Sequence, residues 1–297
     1  MFAVFVFAVG CGGSQMQSVG FSSQPLSPED EPPMRGIHWI RGFAHGHGGG
    51  GSPLMTWHGG DIMTTAATQS IFWGTNWANS SFVGDKITGL DTWYSGFGSS
   101  HYSATSNEYT GTNGQVTSVT TYPAPGHFVD TSPGPSRPPA TSTILTEVCT
   151  VITNPVSNGY YAVYTDLPRG SAGYCAWHSF GSCGSVPVQF AFFFSLDGDP
   201  GCDPGDSSGL HSQGLAALSN VSGHELSEAR TDPRNGGWYD SAGQENGDKC
   251  AWTFGAPLVT FTNGSQWKIQ GEWSNNAYNT QTGYPNSSGQ LGCLAGN

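Results

Sequence analysis

Positively charged side chains are scarce in this sequence. Its 297 residues include only 9 Lys and Arg against 21 Asp and Glu, which gives a formal net charge of −12 at pH 7. Proteins bind nucleic acids chiefly through Lys and Arg side chains that neutralise phosphates. The balance therefore predicts no nucleic-acid partner. The sequence also lacks a Cys-x-x-Cys pair, which disfavours a thiolate zinc site, and it contains no internal repeat.

The apolar run at the N-terminus is too short to cross a membrane. Residues 1–11 end in small residues and a cysteine, which is typical of an export signal. The stretch Ala8-Val9-Gly10-Cys11 resembles a loose bacterial lipobox with Cys11 as the lipidated residue, although no Lys or Arg precedes Arg35. We therefore expect an exported protein of bacterial type, extracellular or at the cell surface. A lipid anchor would be its only membrane contact, and simple secretion is the alternative.

The 16 Phe, 11 Tyr and 10 Trp are enough for a sizeable core, and the 44 Gly and 19 Pro predict many loops. Residues 12–52 are rich in Pro and Gly and predict a flexible tether, including the glycine-rich tract around His45 and His47. Residues 53–297 are expected to form a single folded domain. Six cysteines besides Cys11 predict three disulfides, for which 15 pairings are open: Cys149, Cys175, Cys183, Cys202, Cys250 and Cys293.

Hydrophobic periodicity predicts several helices and strands in this domain. In the first half, a buried strand is expected at 69–74, a helix over 81–97, β structure at 101–109 and 116–122, and a helix over 141–153.

In the second half, strong strands are expected at 160–165 and 188–196, followed by a helix over 211–231. This order predicts an α+β fold in which a mixed β-sheet is flanked by helices, a zincin-like three-layer arrangement that is loop-rich and stabilised by disulfides.

The last predicted helix carries the motif His224-Glu-Leu-Ser-Glu228. Residues four apart project from one helix face, so His224 and Glu228 can bind one ion. In the similar His-Glu-x-x-His zinc helix, the Glu after the first His acts as a general base, and Glu225 stands in that position. Glu228 replaces the second histidine, and its negative charge makes a bound water less acidic. The motif therefore predicts a metal more firmly than catalysis.

Further ligands are expected downstream of this motif. Asp232 shares its helix face if the helix reaches that far, and Pro233 then ends it. Asp240, Glu245 and Asp248 lie on a Gly-rich loop that can fold back over the helix. Asp232 and Asp248 are favoured as ligands. The alternative is a solvated acidic helix face whose histidine is hydrogen-bonded.

A second acidic stretch, residues 197–206, alternates Asp with Gly and resembles a calcium loop without matching the EF-hand pattern. An ordinary polar turn is the alternative.

Several segments between about residues 53 and 253 share residue patterns with one known family. They are Met55-Thr-Trp-His58-Gly-Gly-Asp-Ile-Met, Ile71-Phe-Trp-Gly, Asp91-Thr-Trp-Tyr, Asn158-Gly-Tyr-Tyr-Ala-Val-Tyr, Gly173-Tyr-Cys-Ala-Trp-His178-Ser, Gly223-His-Glu-Leu-Ser-Glu-Ala-Arg-Thr-Asp-Pro, Gly237-Trp-Tyr-Asp and Gly247-Asp-Lys-Cys-Ala-Trp. These segments resemble the phosphate-induced protein 1 (EXORDIUM-like) family, and the His-Glu segment resembles its bacterial branch. The resemblance links the chain to proteins whose plant members act in growth signalling in the cell wall, and it implies no settled enzymatic activity.

Two residues of these segments raise a functional question. His58 precedes two glycines and is interpreted as a turn residue. His178 lies between the two strong strands, where a side chain of a zincin-like sheet can face the cleft. It is predicted to bind substrate or transfer a proton.

Two functions fit these patterns. The first is a zinc-dependent, peptidase-like hydrolase acting on a peptide, protein or cell-wall glycan, in which Glu225 takes a proton from water and His178 or a tyrosine stabilises the oxyanion. The second is a non-catalytic cell-surface protein with a structural calcium site, whose exposed Trp and Tyr bind glycans or a partner protein.

Overall fold

The computed structural model describes residues 31–42 and 52–296. The predicted export signal at 1–11, most of the predicted tether, and the tract with His45 and His47 lie outside the described residues. Within those residues, no helix has the length and apolar character needed to span a membrane.

The helices confirm the predicted positions in part. The predicted helix over 81–97 is split at Gly84, whose φ of 52° is incompatible with a continuing helix. The prediction of β structure at residues 101–109 is wrong, because this segment begins with a short helix. The Ser100 side chain accepts a hydrogen bond from the Ser103 N–H at 3.0 Å and so caps the first turn of that helix. The α-helices are α1 (Ser80–Val83), α2 (Lys86–Phe97), α3 (His101–Ala104), α4 (Thr141–Val151), α5 (Gln213–Thr231) and α6 (Asn275–Thr280), and short 3-10 helices cover Thr75–Ala78 and Asp248–Cys250.

The strands range from two to ten residues. They are β1 (Arg35–Trp39), β2 (Thr56–Trp57), β3 (Ala66–Trp73), β4 (Thr110–Gly111), β5 (Gly114–Gln115), β6 (Thr120–Thr121), β7 (His127–Asp130), β8 (Gly159–Pro168), β9 (Tyr174–Cys183), β10 (Val186–Ser195), β11 (Trp238–Tyr239), β12 (Val259–Thr260), β13 (Gln266–Trp267), β14 (Glu272–Trp273), β15 (Tyr284–Pro285) and β16 (Leu291–Leu294). Of the predicted β segment at 116–122, only the two residues of β6 form a strand.

Seven strands form one mixed sheet, in the order β1-β9-β10-β8-β3-β6 with β7 also paired to β3. The pairs of β3 with β6, β7 and β8 and the pair of β8 with β10 are parallel, whereas β9 is antiparallel to both β1 and β10. Helices flank this sheet, so the predicted α+β fold with a mixed sheet is confirmed.

Helices cover both faces of the sheet around β9. His178 faces Glu228 of α5, while the side-chain position of Gly181 is directed at Leu145 of α4. Strand residues an odd number apart point to opposite faces. Helices α4 and α5 therefore lie on opposite sides of β9, and His178 belongs to the α5 side.

Helix α5 is buried along its whole length from Gly214 to Thr231, although many of its side chains are polar. Buried polar groups are tolerated when they have partners. The Ser222 hydroxyl lies 2.7 Å from the Tyr164 hydroxyl, Asn220 accepts the Gln270 N–H at 2.8 Å, and Arg230 donates to the carbonyls of Ser103 and Thr117. The predicted helix over 211–231 is thus an interior helix rather than a solvated one.

Strand β1 lies inside the segment 12–52 that was predicted to be a tether, and this part of the prediction is wrong. Arg35 is opposite His178 in the antiparallel pair with β9, and Gly36 and His38 are buried. Just before it, Glu31 accepts hydrogen bonds from Thr141 and the Ser142 N–H at the start of α4. The folded domain therefore starts before Pro53, because pairing with a distant strand orders a segment whose composition alone suggests a linker.

The described residues contain the three predicted disulfides. Cys149–Cys183 joins α4 to β9, Cys175–Cys202 joins β9 to the segment before α5, and Cys250–Cys293 joins the end of the Asp248–Cys250 turn to β16. Each bond fastens a loop or helix to the sheet or to a neighbouring strand.

One carboxyl pair near the sheet edge predicts a pH effect on stability. Burial and then the charge of Asp130 raise the pKa of Glu147 to about 7. Since the folded-state pKa lies above the unfolded one, this group favours the folded state below its unfolded pKa and loses that contribution as pH rises toward 7. We expect Glu147→Gln to raise the free energy of unfolding at pH 8 by on the order of 1 kcal/mol, a value reduced by water near the pair.

Urea unfolding of both proteins between pH 5 and pH 8 measures this effect. The gain of Glu147→Gln over the unsubstituted protein should grow with pH, and Asp130→Asn should reproduce part of it. Parallel pH profiles for the two proteins would contradict the assignment.

Candidate metal centre

Three separate parts of the chain meet at the C-terminal half of α5. His224 and Glu228 come from the helix and His178 from the middle of β9. Glu245 and Asp248 come from the loop between β11 and the end of the Asp248–Cys250 turn. The side chains of the first four are at most 4% exposed, and that of Asp248 is 17% exposed. The helix face predicted from the sequence thus points into the protein.

The first set of ligand atoms contains the predicted residues His224, Glu228 and Asp248. The Nε2 atom of His224 lies 3.2 Å from Oε1 of Glu228 and 3.7 Å from Oδ1 of Asp248. We call these three residues the α5 ligand set.

The second set contains His178, Glu228 and Glu245. The Nε2 atom of His178 lies 3.7 Å from Oε2 of Glu228 and 3.4 Å from Oε2 of Glu245. We call these three residues the β9 ligand set. Glu228 belongs to both sets but directs a different oxygen at each.

These spacings match the edges of a metal coordination shell. Four ligand atoms about 2.1 Å from a zinc ion in a tetrahedral arrangement lie about 3.4 Å from one another. The four histidine-to-carboxylate distances, from 3.2 to 3.7 Å, bracket that value. In both sets the three ligand atoms lie within 4.8 Å of one another, a spacing at which they could hold a metal ion.

Backbone hydrogen bonds hold the carboxylates of Glu228 and Asp248 in place. The Asp248 N–H donates to Oε1 of Glu228 at 2.8 Å, and the Glu245 N–H donates to Oδ2 of Asp248 at 3.2 Å. The second bond leaves Oδ1 of Asp248 directed at His224. Outer hydrogen bonds of this kind orient the ligands of metal sites.

Several buried polar atoms of the cluster form no hydrogen bond of good geometry within residues 31–42 and 52–296, although the backbone of Gly36 lies close to His224 and that of His38 close to Glu225. Buried polar groups in native proteins nearly always have a hydrogen-bond partner. Coordination of a cation can take the place of a hydrogen bond for such an atom. The atoms are Nε2 of His178 and of His224, Oε2 of Glu228 and of Glu245, and both carboxylate oxygens of Glu225.

Electrostatics among these protein groups favour a bound cation. Burial lowers the pKa of His178 and of His224 to about 3, so both imidazoles are neutral at pH 7 and can act as ligands. Burial, with the neighbouring carboxylates adding to it, raises the pKa of Glu225 and Glu245 well above the ordinary range. A divalent cation would offset both the burial and the repulsion that raise these two pKa values.

Asp232, predicted as a ligand, belongs to neither set. Helix α5 ends at Thr231, and Asp232 has a φ of −140°, because the residue before a proline disfavours helical geometry. Its Oδ1 accepts the N–H groups of Gly236 and Gly237 at 2.8 and 2.7 Å. The expected i+8 position on the helix face is therefore not reached.

Glu225, the predicted general base, lies beside both ligand sets without belonging to either. It is fully buried, and its carboxyl group interacts electrostatically with Glu228, Asp248 and Glu245.

The other two sequence candidates lie away from the cluster. His58 is exposed and stacks on Tyr239, with ring centroids 3.5 Å apart, next to the turn at Gly59. In the acidic stretch 197–206, Asp197 pairs with Lys86 and Asp199 with Arg169. These carboxylates are engaged with separate partners, as in a polar turn.

Sequence reasoning missed two residues that shape the centre. A methyl group on Gly36 of β1 would collide with Glu228 and His178. Gln270 contacts two histidines at once, with Oε1 at 2.9 Å from His38 and Nε2 at 3.0 Å from Nδ1 of His224. Neither residue stands in a local pattern that marks it, since both reach the site through pairing and packing of distant segments.

The chain matches no protein-family model, no curated protein and no solved structure. Its resemblance to the phosphate-induced protein 1 family therefore stays a prediction that depends on the segments quoted above.

Proposed function

We propose that the protein is an exported, zincin-like metallohydrolase of peptidase type in which His224, Glu228 and Asp248 bind a zinc ion. The observation that supports catalysis is Glu225, a fully buried carboxyl group near the ligands that has no side-chain hydrogen-bond partner among the described residues and only the His38 backbone N–H close to it. A purely structural site gives such a side chain no role. A general base needs a carboxylate next to, but outside, the ligand set.

Zinc suits the donor atoms better than calcium does. Each ligand set contains one imidazole nitrogen, and imidazole is a common zinc ligand, whereas calcium prefers oxygen ligands alone. Zinc bound here would acidify a water molecule and polarise the carbonyl of a substrate.

The residues of the chain then supply the proton transfers. Glu225 takes a proton from water as the water oxygen attacks the carbonyl carbon, and it returns that proton to the leaving group when the scissile bond breaks. The charge of a bound zinc ion would lower the pKa of Glu225, which burial raises in the metal-free protein, so that the group could be ionised before the first step. Substrate would approach on the side of Asp248, the most exposed of the ligands.

The proposed substrate is a peptide, a protein or a cell-wall glycan at the cell surface. The three disulfides in the described residues are compatible with an extracellular protein. The resemblance to the phosphate-induced protein 1 family supports the same location.

Glu225→Gln tests the proposed function. The variant should retain its zinc but lose about 10²–10⁴-fold in hydrolysis of a quenched fluorescent peptide library or of a cell-wall preparation. Metal content is measured by elemental analysis of protein purified without chelators. Glu147→Gln, a Glu to Gln change in α4 on the opposite sheet face, is the matched control and should hydrolyse at the unsubstituted rate. Equal activity in Glu225→Gln would rule out its role as base, and protein purified without metal would rule out the site.

A second function is favoured by one observation, the near-complete burial of the ligands. A buried cation can serve only to stabilise the fold of a non-catalytic surface protein that binds glycans or a partner. In that case no hydrolysis is found, and calcium restores the melting temperature of chelated protein. Restoration by zinc but not by calcium would exclude this alternative.

A further inference from the structure

We infer that the protein binds a second divalent metal ion, held by His178, Glu228 and Glu245, and that Glu228 bridges this ion and the one in the α5 ligand set. The inference rests on the proposed function for the first ion and adds a second ion to the same centre. It assigns His178 as a metal ligand, where the sequence predicted a substrate-binding or proton-transfer residue.

The two oxygens of Glu228 face different partners. Oε1 lies 3.2 Å from Nε2 of His224, and Oε2 lies 3.7 Å from Nε2 of His178. A carboxylate that divides its oxygens in this way can bind two ions at once. Two-metal hydrolases hold their ions about 3.5–4 Å apart, a separation that one bridging carboxylate spans.

A single ion in the α5 ligand set leaves the other half of the cluster unsatisfied. Nε2 of His178, Oε2 of Glu228 and Oε2 of Glu245 are buried and have no hydrogen-bond partner in the part of the chain that the structure describes. These are three atoms of the β9 ligand set. One further cation would satisfy all three.

The charge of the cluster also fits two ions. Four carboxylates, those of Glu225, Glu228, Glu245 and Asp248, interact with one another in the buried cluster. Arg35 on β1 is a nearby cation that interacts with Glu245. Arg35 and one divalent cation together supply three positive charges against the four carboxylates in their ionised form, which leaves buried negative charge, and such charge is costly. A second divalent cation would offset it.

Gly36 lets the β9 ligand set pack directly against β1. It has a φ of 47°, a conformation that favours glycine. A Cβ atom there would collide with Oε2 of Glu228 and Nε2 of His178. Any other residue at this position would therefore displace two of the three ligands of the second ion.

The donor atoms restrict the kind of ion. One imidazole and two carboxylates at each site suit zinc, cobalt or manganese, and they disfavour calcium and magnesium, which prefer oxygen ligands alone. In a hydrolase, a pair of such ions stabilises both the attacking and the leaving oxygen.

The test is a metal titration of the full chain. Protein stripped with a chelator and dialysed is titrated with Zn²⁺, and bound metal is measured by elemental analysis after equilibrium dialysis. We expect two ions per chain in the unsubstituted protein and in the matched controls His101→Phe and Glu147→Gln. His178→Phe and Glu245→Gln should each bind one ion, and Glu228→Gln should lose both or bind them at least about 10-fold more weakly.

The possible results distinguish failure of the second metal site from failure of the proposed function. One ion that survives His178→Phe but not His224→Phe overturns the second site and leaves the proposed function intact. One ion lost equally in both variants shows a single ion shared by the two histidines, which also overturns the inference. No bound ion at all overturns both proposals.

Cobalt provides a readout that does not depend on the folding of variants. The unsubstituted protein is titrated with Co²⁺ and followed by electron paramagnetic resonance. Two ions joined by Glu228 should couple, so the signal per cobalt falls as the second equivalent binds. A signal that grows in proportion through two equivalents would place the second ion away from Glu228 and overturn the bridge.

Discussion

Removal of divalent cations is expected to lower the free energy of unfolding by about 4 kcal/mol for each ion, the value for a ligand held at roughly 1,000 times its Kd. The ligands are interior groups of α5, β9 and one loop, so the ions bind the folded chain and have no equivalent site in the unfolded one. A fall in Tm of roughly 10 °C or more should follow.

Thermal unfolding with and without EDTA at pH 7.5 measures this loss, and Zn²⁺ added back in excess should restore the Tm. The matched control is Glu228→Gln, which lacks the shared ligand and should show a smaller fall in Tm on addition of EDTA than the unsubstituted protein. Unchanged melting of the unsubstituted, metal-loaded protein after complete chelation would show that the cluster contributes nothing to stability through a cation.

The second large effect is expected on loss of the Cys250–Cys293 disulfide, through the double variant Cys250→Ser and Cys293→Ser. The two residues are 43 apart in sequence, and the chain-entropy relation gives about 4 kcal/mol for a loop of that length. Cys250 ends the turn that begins at Asp248. Without the bond the carboxylates of Glu245 and Asp248 lose their anchor, so zinc affinity should fall by about 10-fold or more as well.

A matched pair of measurements separates these two effects. The double variant Cys149→Ser and Cys183→Ser removes a bond of similar loop length between α4 and β9. It should lower the free energy of unfolding by a similar amount, with zinc affinity unchanged at temperatures where the protein is folded. Competition with a zinc-sensitive dye reports the affinity of each variant. Equal zinc affinity in both double variants would contradict the role of Cys250–Cys293 at the metal loop.

The elements that local patterns encode were largely predictable. Strand β3, strands β8 and β10, and helices α4 and α5 follow from apolar runs and helical spacing. Strand β1 was not, because five residues in a Pro- and Gly-rich region form a strand only by pairing with β9, more than a hundred residues away. Strand β1 is ordered by its pairing with β9 and not by its own amino-acid composition.

Some residues of the candidate site were likewise predictable from local sequence, and others depend on tertiary structure. His224, Glu225 and Glu228 are set by their spacing on one helix, and Asp248 was selected from the downstream loop. The choice between Asp232 and Glu245 depended on where α5 ends, and a helix end one residue before Asp232 decided it. His178 could be placed near the cleft but not among the ligands, since its register on β9 relative to α5 is a tertiary property.

Strand β1 also bears on how quickly ions can be exchanged. Gly36 lies against Glu228 and His178, so β1 covers the centre from the edge of the sheet. An ion bound there would leave past Asp248, the most exposed of the ligands, or when β1 detaches from β9. Release would then follow the frequency of a local opening of the sheet edge rather than the affinity of the ligands. A metal-loaded protein would then keep its ions during a brief exposure to chelator, because the rate of opening and not the dissociation constant of the metal limits their release.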